Sequence, residues 1–461
     1  MNPLPAQPLS PLDGRYREAV SSLGEYLSEA GLNRARVRIE IEWLIFLTDR
    51  EMFGSRRLEH DQLRRLREFA AEFGQAEIDE LAKLETKTRH DVKAVEYLVR
   101  GKLAELGLTE VAELTHFACT SEDVNNLAYG ITISGAIREV WMPRARAVTH
   151  SLAARARELR AAAMLAHTHG QAATPTTMGK ELAVFVHRLE RVLGQIESVE
   201  YLGKFSGATG TYGAHLAADP TADWPALSQE FVSSLGLVWN PLTTQIESHD
   251  WQAELYSRIS HANRVLHNLC TDLWTYISMG YFRQIPQAGT TGSSTMPHKI
   301  NPIRFENAEA NLELSSALLE SLAATLVTSR LQRDLTDSTT QRNVGVALGH
   351  SVLALDNIER GLQEIDIDEV ALAADLDANW EVLGEAIQTV IRAEITAGRS
   401  AIADPYALLK ELTRGKRVTQ QELAIFVAGL DIGDEARARL AALTPAGYTG
   451  LASELVEFIA D

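Results

Sequence analysis

Regularly spaced apolar residues in long stretches without proline are the feature that most limits how this chain can fold. In the first stripe, apolar residues stand alternately four and three positions apart: Met178, Leu182, Phe185, Leu189, Val192, Ile196 and Val199. A second stripe has the same spacing: Leu255, Ile259, Ala262, Leu266, Leu269 and Leu273. Such spacing places all these side chains on one face of a helix, and the first stripe would span about six turns.

Two weaker stripes and the placement of proline extend this prediction. The weaker stripes run through 312–326 and 348–362. No proline lies within 12–142 or within 303–404, so no proline interrupts a long helix there. Together with a helical stretch after Asp123, these patterns predict about five long helices in an all-α fold.

Stripes at near-3.5 spacing in several helices predict a bundle whose helix axes run nearly parallel or antiparallel. Helices of this length carry more apolar surface than the core of one subunit covers, so we expect a homo-oligomer with a multi-helix bundle at its centre. A chain of 461 residues is long enough for several domains. We expect three mostly helical domains, at roughly 1–112, 113–365 and 366–461.

Composition excludes several classes of partner. The formal net charge of −18 opposes binding to nucleic acid or to an anionic membrane. The sequence shows neither a run of about 20 apolar residues nor a secretory signal, so we expect a cytoplasmic protein. Cys119 and Cys270 stand alone, which indicates reduced thiols and no metal site. An anionic small substrate would need a local basic cluster, for which the candidates are Arg15, Lys299, Arg304, Arg333 and Arg342.

The segment GSSTMPHKINP at 292–302 holds the densest set of reactive side chains. Its two prolines forbid a continuous helix and its glycine adds freedom, so we expect a mobile loop that closes over a substrate rather than a solvated turn. Since the usual nucleotide-cofactor and hydrolase motifs are missing from the sequence, we expect chemistry without a cofactor. Acid–base chemistry then needs a proton acceptor and a proton donor. Residue chemistry favours His298 or His90 as the base, and His169, in a predicted break before the helix near Met178, as a candidate for the second role.

Other polar segments are candidates for helix caps, for anion-binding sites or for both. Asp91 is a candidate N-cap for the helix that follows it. Thr120 and Asp123 match a capping box, but a helix start with free hydroxyls can also hold a carboxylate or phosphate. We expect the segment 330–342 to be a further break between helices, in which Arg333 and Arg342 could each fork onto an anion.

At this point the residues indicate a family. GSSTMPHKINP resembles the signature of the fumarase/aspartase superfamily, whose members eliminate fumarate from succinyl compounds. The pair His298–Lys299 is similar to that of adenylosuccinate lyases, whereas fumarases and aspartases usually carry a small residue at the first position and argininosuccinate lyases a glutamine. The resemblance extends over essentially the whole chain, through SPLDGRY, HDVKAVEY, HFACTSEDVNN, THGQAATPTTMGKE and LQRDLTDSTTQR.

The resemblance implies three mostly helical domains with a central five-helix bundle, assembled as a homotetramer around a core of twenty helices. It implies active sites that combine residues from more than one subunit, with neither cofactor nor metal. The implied reactions are cleavage of adenylosuccinate to AMP and fumarate, and of the succinylcarboxamide ribotide SAICAR to AICAR and fumarate.

Site residues follow from the resemblance position by position. The general base would be Ser293 and the general acid His169, with His298 shaping the loop and Lys299 stabilising developing charge. Substrate contacts would be Arg15, Tyr16, Arg89, His90, Asp91, Thr120, Ser121, Gln245, Ser294, Lys299, Ile300, Asn301, Asn307, Arg333, Ser338, Thr339, Thr340, Gln341 and Arg342. Two residues depart from the family's pattern: Arg89 stands where asparagine is usual, and Ser248 where proline is usual.

Two rival interpretations stay open from the sequence. One is another fumarate-releasing lyase of the same superfamily, similar to argininosuccinate lyase, against which His298 speaks. The other is a catalytically silent helical scaffold, against which the presence of Ser293, His169 and Lys299 speaks.

Overall fold

The computed structural model describes residues 8–286, 296, 299–413 and 417–459, and within them the chain is mostly helical, as predicted. The N-terminal helices are α1 (Arg17–Val20), α2 (Gly24–Leu27), α3 (Glu29–Asp49), α4 (His60–Ala71), α5 (Gln75–Thr88), α6 (Asp91–Glu105) and α7 (Ser121–Ala136). The central helices are α8 (Met142–Glu158), α9 (Met178–Glu197), α10 (Gly213–Ala218), α11 (Trp224–Ser234), α12 (Asp250–Ser278), α13 (Ile303–Leu326), α14 (Thr336–Gln341) and α15 (Val344–Gln363). The C-terminal helices are α16 (Glu369–Asp377), α17 (Gly384–Thr396), α18 (Pro405–Thr413), α19 (Gln420–Ala428), α20 (Asp434–Ala441) and α21 (Ala452–Leu455).

Short strands form three two-stranded sheets in the described residues, which the sequence analysis did not anticipate. The strands are β1 (Ala163–Thr168), β2 (Gln171–Thr177), β3 (Leu202–Gly203), β4 (Val238–Trp239), β5 (Phe282–Gln284) and β6 (Ile365–Ile367). The pairs β1–β2 and β5–β6 are antiparallel, and β3–β4 is parallel.

The predicted apolar stripes are confirmed as buried helix faces. Every residue of the first two stripes is buried, although Val199 lies two residues beyond the end of α9, and Leu312, Leu319 and Leu355 on α13 and α15 are buried as well. The pattern missed α3, although 14 of its 21 residues are buried. Burial on several sides of a helix removes the periodic contrast on which such a prediction depends.

The chain divides into two compact units. Unit 1 comprises 1–145, 192–264 and 310–356, and unit 2 comprises 146–191, 265–309 and 357–461. The boundaries fall inside α8, α9, α12, α13 and α15, so each of these helices contributes to both units. The division into three domains at 112 and 365 stays a prediction.

In unit 1, α3 packs against α4, α6 and α7. An aromatic cluster lies at its core, where the ring of Trp43 on α3 has its centroid 4.4 Å from that of Phe205 and 4.9 Å from that of Phe231. All three side chains are almost completely buried. Burying rings of this size stabilises the fold by roughly 1.5–3 kcal/mol each, and the cluster joins α3 to α11 and to the segment after β3.

In unit 2, the hairpin β1–β2 packs against α16, and α17 packs against α18 and α20. A cluster of buried apolar residues joins these C-terminal helices, among them Trp380, Leu383, Ile387 and Leu423. No helix in the described ranges is both long and apolar enough to cross a membrane.

Candidate active site

The start of α6 carries three of the predicted site residues. The chain leaves α5 through Arg89, whose φ of 50° is in the left-handed region, and His90 then adopts an extended conformation. The prediction that Asp91 caps α6 is wrong. His90 is the N-cap, because its Nδ1 accepts a hydrogen bond from the backbone N–H of Lys93 at 3.3 Å. Asp91 is therefore the first helical residue, and its carboxylate is available for contacts with other segments.

The start of α7 is a capping box, as predicted: the backbone N–H of Thr120 donates to Asp123 Oδ2 at 2.8 Å. The carboxylate of Asp123 also accepts hydrogen bonds from the backbone N–H groups of Ser206 and Gly207, and it pairs with Lys204 Nζ at 2.9 Å. Asp123 and Lys204 are fully buried. This pair ties the loop after β3 to the helix start that presents Thr120 and Ser121, both of which are half-buried.

Gln245 lies against the same loop, because its Nε2 donates to the carbonyl of Ala208 at 3.0 Å. The backbone at Gly210 in this loop lies very close to the backbone at Thr243. A Cβ on Gly210 would lie 2.2 Å from the carbonyl oxygen of Thr243, and the φ of Gly210 is +75°. Only glycine fits such a position without displacing the backbone. Two residues after Gln245, the buried carboxylate of Glu247 accepts hydrogen bonds from the side chain of Asn240 and from the backbone N–H of His249. These bonds hold the segment 240–249 in one conformation.

The predicted break at 330–342 contains the short helix α14, so Ser338, Thr339, Thr340 and Gln341 lie in a helix rather than in a loop. On this segment Arg333 pairs with Glu122 at 2.8 Å, and its Nε donates to the carbonyl of Asp334. Arg342 pairs with Glu29 and lies 3.5 Å from Asp91. Gln341 is buried near His249, whose Nε2 lies 3.3 Å from Asp337.

These contacts form one network, which we call the charge network: Glu29, Arg36, Asp91, Glu122, Asn125, His249, Arg333, Asp337, Gln341 and Arg342. It brings together four predicted site residues: Asp91, Arg333, Gln341 and Arg342. The sequence analysis missed the buried members that join them, above all Arg36, Glu122 and Asn125. Glu122 lies inside the capping box and Asn125 stands three positions after it, and that spacing at a helix start is the one signal that pointed to them.

The charge network lowers the pKa of two of its carboxyl groups, those of Asp91 and Asp337. Burial alone would raise the pKa of Asp91, but the nearby Arg36 guanidinium and the N–H of Val92 hold that pKa below its usual value. Burial likewise opposes ionisation of Asp337, yet its hydrogen bond with His249 and the charge of Arg333 lower its pKa. Such balanced burial and charge are typical of functional sites.

Beside the charge network, unit 1 has a cavity of about 400 Å³. Its lining includes Asp13, Arg17, Ser28, Arg342 and Gly345. A volume of this size is in the range of small-ligand sites. The predicted contacts Arg15 and Tyr16 lie in the turn just before α1, where the backbone N–H of Tyr16 donates to the carbonyl of Pro11 and the side chain of Arg15 is exposed.

In unit 2, His169 occupies the tip of the β1–β2 hairpin. Thr168 pairs with Gln171, so His169 and Gly170 form a two-residue turn, and both have positive φ, 54° and 73°. Hairpin turns of type I′ need positive φ at both positions, but histidine adopts it only at a cost in strain. The His169 side chain is exposed at this tip, where an incoming substrate could reach it.

A second histidine anchors this hairpin. His167 Nε2 lies 3.9 Å from a carboxylate oxygen of Asp375 on α16, and the same carboxylate accepts a hydrogen bond from the hydroxyl of Tyr281. His167 is therefore in contact with a structural partner, whereas His169 projects beyond the paired strands.

The signature segment is described only in part: Ser293, Ser294 and His298 lie outside the described residues. Lys299 and Ile300 are exposed, and the carbonyl of Ile300 accepts a hydrogen bond from Gln284 Nε2 at 2.6 Å. Asn301 precedes α13, and Asn307 lies in its second turn. Of the predicted basic cluster, Arg304 pairs with Glu364 at 3.0 Å. Convergence of the five basic residues stays a prediction.

Among the described residues, no three His, Cys, Asp or Glu side chains are arranged to hold a metal ion. The thiols of Cys119 and Cys270 are strongly desolvated, which raises the pKa of each well above its usual value. Neither is poised as a nucleophile at neutral pH.

Comparison with known proteins places this geometry in a family. A family model described as Lyase matches residues 14–314, and one described as Adenylosuccinate lyase C-terminal matches residues 329–449. Adenylosuccinate lyases from Haemophilus influenzae and Escherichia coli are each 45% identical to this chain, over 97% of it and 98% of the relative.

Solved structures share the fold. A fumarate lyase from Mesorhizobium sp. BNC1 covers 95% of this chain, and 97% of its own chain is matched, with a TM-score of 0.73 at 18% identity. The 3-carboxy-cis,cis-muconate lactonizing enzyme from Pseudomonas putida also has a TM-score of 0.73, at 19% identity, with 95% of both chains covered. At this identity the two structures show the common fold alone. From the full-length similarity to curated relatives and the two family models, the chain belongs to the adenylosuccinate lyase family.

Proposed function

We propose that this protein is an enzyme that cleaves adenylosuccinate to AMP and fumarate, and SAICAR to AICAR and fumarate, in purine nucleotide biosynthesis. The observation that carries the proposal is the 45% identity to adenylosuccinate lyases over nearly the full length of both chains. The signature at 292–302, with histidine at 298, supports the same choice within the superfamily.

The reaction is an anti β-elimination. The base, Ser293, removes a proton from the succinyl carbon next to a carboxylate, and the electron pair of that C–H bond spreads onto the carboxylate. The C–N bond then breaks, a C=C bond forms in fumarate, and His169 donates its proton to the departing nitrogen. The chain's own groups suffice for each proton transfer, so the reaction needs no cofactor.

Removal of the proton turns that carboxylate into an aci-carboxylate dianion, and Lys299 and Asn301 stabilise this charge. A preorganised donor at such a position typically contributes about 3–4 kcal/mol to the transition state. Serine is a weak base in water, and it can take a proton only in a dry, positively charged pocket, for which Lys299 is the nearest cation in sequence.

Substrate binding falls to the charge network and its surroundings. Adenylosuccinate carries a phosphate and two carboxylates, while the chain as a whole has a net charge of −18. Arg15 and Arg342 are exposed cations of unit 1 among the predicted substrate contacts, and we assign them to these anions. Arginine pairs with phosphate and carboxylate through two parallel hydrogen bonds, which orients the ligand as well as attracting it.

We further propose a cytoplasmic homotetramer whose active sites combine residues from more than one subunit. In support, large apolar side chains on the long helices are exposed in the single chain, including Val184, Trp274 and Leu314, at 42%, 40% and 52% of their surface. His169 and Lys299 are exposed as well. Contact with other subunits would cover the apolar surface and exclude water from the reacting groups.

The test is the ultraviolet absorbance change when the purified protein meets adenylosuccinate, with argininosuccinate, and fumarate plus ammonia, as parallel controls. A change with adenylosuccinate alone is the expected result. Activity only on a control would retain the superfamily mechanism and move the substrate. No activity on any of the three would favour a silent helical scaffold.

A further inference from the structure

Arg36 on α3 lies outside the set of residues that the sequence pattern assigned to the site, yet it is the most buried charge in the charge network. Its exposed fraction is 2%. Each of its three nitrogen groups contacts a different side chain: Nη1 donates to Asn33 at 2.9 Å, Nε donates to Asn125 at 2.9 Å, and Nη2 pairs with Asp91 at 3.0 Å.

Burying the guanidinium of Arg36 opposes folding, so its contacts indicate a role other than filling the core. Removing a guanidinium from water has a large free-energy cost, and the attraction to its partners offsets this cost only when the donors are well placed. A buried apolar residue at position 36 would fill a core at lower cost. Arg36 therefore contributes to the geometry of its partners more than to the stability of the fold.

The partners of Arg36 lead to two predicted substrate contacts. One is direct, through Asp91. The other runs through Asn125, whose Nδ2 donates to Glu122 Oε1 at 2.8 Å, the same oxygen that pairs with Arg333 at 2.8 Å. One guanidinium thus sets the position of groups at the starts of α6 and α7 and just before α14.

We infer that Arg36 is a positioning residue, which holds Asp91 and, through Asn125 and Glu122, Arg333 in the orientation that receives the substrate. This inference rests on the proposed function and deepens it. Arg36 is too deeply buried to touch the substrate, so it acts through residues that do. A shared guanidinium also couples the two contacts, since a displacement of Arg36 would disturb both.

The ionisation of Asp91 supports this role. The charged groups that face its carboxylate are Arg36 on α3, Arg342 after α14, and its neighbour His90, whose Nδ1 lies 3.7 Å away. Burial raises the pKa of Asp91 and Arg36 lowers it. In Arg36→Met, we expect the acid limb of the kcat/KM profile to move to higher pH, because Asp91 then loses its nearest cation.

The main test is the kinetics of Arg36→Lys on adenylosuccinate. Lysine keeps the charge but cannot contact Asn33, Asn125 and Asp91 together. We expect KM to rise about tenfold or more while kcat changes less than about threefold, because contacts made in the ground state are lost. The control is Arg38→Lys, two residues further along α3 and exposed, which should leave KM within about twofold.

A purely structural role would give a different result: less active protein, hence lower kcat, with KM unchanged. That outcome would overturn the inference. A second check is Asp91→Asn, made alone and in Arg36→Lys. If Arg36 acts through Asp91, the two effects on KM are strongly non-additive, whereas additive effects would contradict the coupling. Wild-type protein that does not cleave adenylosuccinate would instead overturn the proposed function itself.

Discussion

The charge network of unit 1 and the hairpin tip of unit 2 present their polar groups in contrasting ways. In the charge network, the guanidinium of Arg36 is buried and contacts three side chains, and Arg333 is held by Glu122. His169, in contrast, is exposed at the end of a two-residue turn and has a positive φ. The first arrangement fixes charges in place before a ligand arrives. The second presents the proposed proton donor on a short, strained turn.

The contrast suggests a division of labour. Binding a nucleotide that carries a phosphate and two carboxylates requires several cations at fixed spacing, and paired charges in a folded core can hold arginines in that way. Proton transfer requires one group that can approach the departing nitrogen, and a hairpin tip provides that reach. Substitutions in the charge network should therefore change KM, and substitutions at the hairpin tip should change kcat.

The largest effect is expected for His169→Asn. Loss of the proton donor should reduce kcat by about 10²–10⁴-fold with KM little changed. The matched control is His167→Asn, two residues earlier on β1, where the histidine faces Asp375 and a change below about tenfold is expected. Equal losses of kcat in the two variants would contradict the assignment of His169 as proton donor and His167 as a structural residue.

The next effect concerns stability rather than rate. Lys204→Met leaves the carboxylate of Asp123 buried without its cation, and breaking a buried pair in this way typically costs about 3–5 kcal/mol. Denaturant unfolding measures the loss. Lys83→Met, which breaks an exposed pair with Glu80, should cost less than about 1 kcal/mol. Similar losses of unfolding free energy in the two variants would mean that the pair of Lys204 and Asp123 does not hold the loop after β3 on the start of α7.

A smaller effect is expected for Arg333→Lys. Lysine cannot keep the contact with Glu122 and also offer a planar fork to a carboxylate, so KM should rise about tenfold with kcat nearly unchanged. Steady-state kinetics on adenylosuccinate decides the matter. An unchanged KM would show that Arg333 supports the fold without contacting the substrate.

The smallest effect is a pH dependence of stability. The folded-state pKa of Asp337 lies below its usual value of about 3.9. Its contribution to stability is therefore fully present above about pH 4 and is lost as the pH falls through the lower, folded-state pKa. Thermal unfolding between pH 6 and pH 3 should show a shallower decline in Asp337→Asn than in wild type. Asp434→Asn, at an almost fully exposed side chain, should follow the wild-type curve, and a parallel curve for Asp337→Asn would refute the assignment.

The sequence predicted the helical class well because single-sided burial leaves a periodic trace, as on α9 and α12. It missed α3, where burial on several sides erases that trace, and it missed the hairpin that presents His169. The signature and related segments supplied the predicted site residues, which stay predictions, but nothing in the sequence indicated Arg36. A buried arginine in a helix looks like a surface arginine until the partner segments, here 55 and 89 positions away in sequence at Asp91 and Asn125, are placed beside it.

The most direct test of the whole account compares wild type and His169→Asn in one time course with adenylosuccinate, with AMP and fumarate quantified separately. The account predicts that wild type forms the two products in equal amounts, and that the variant binds the substrate with similar affinity but forms products at least about 100-fold more slowly. Wild type that forms neither product, or a variant that matches its rate, would contradict the account.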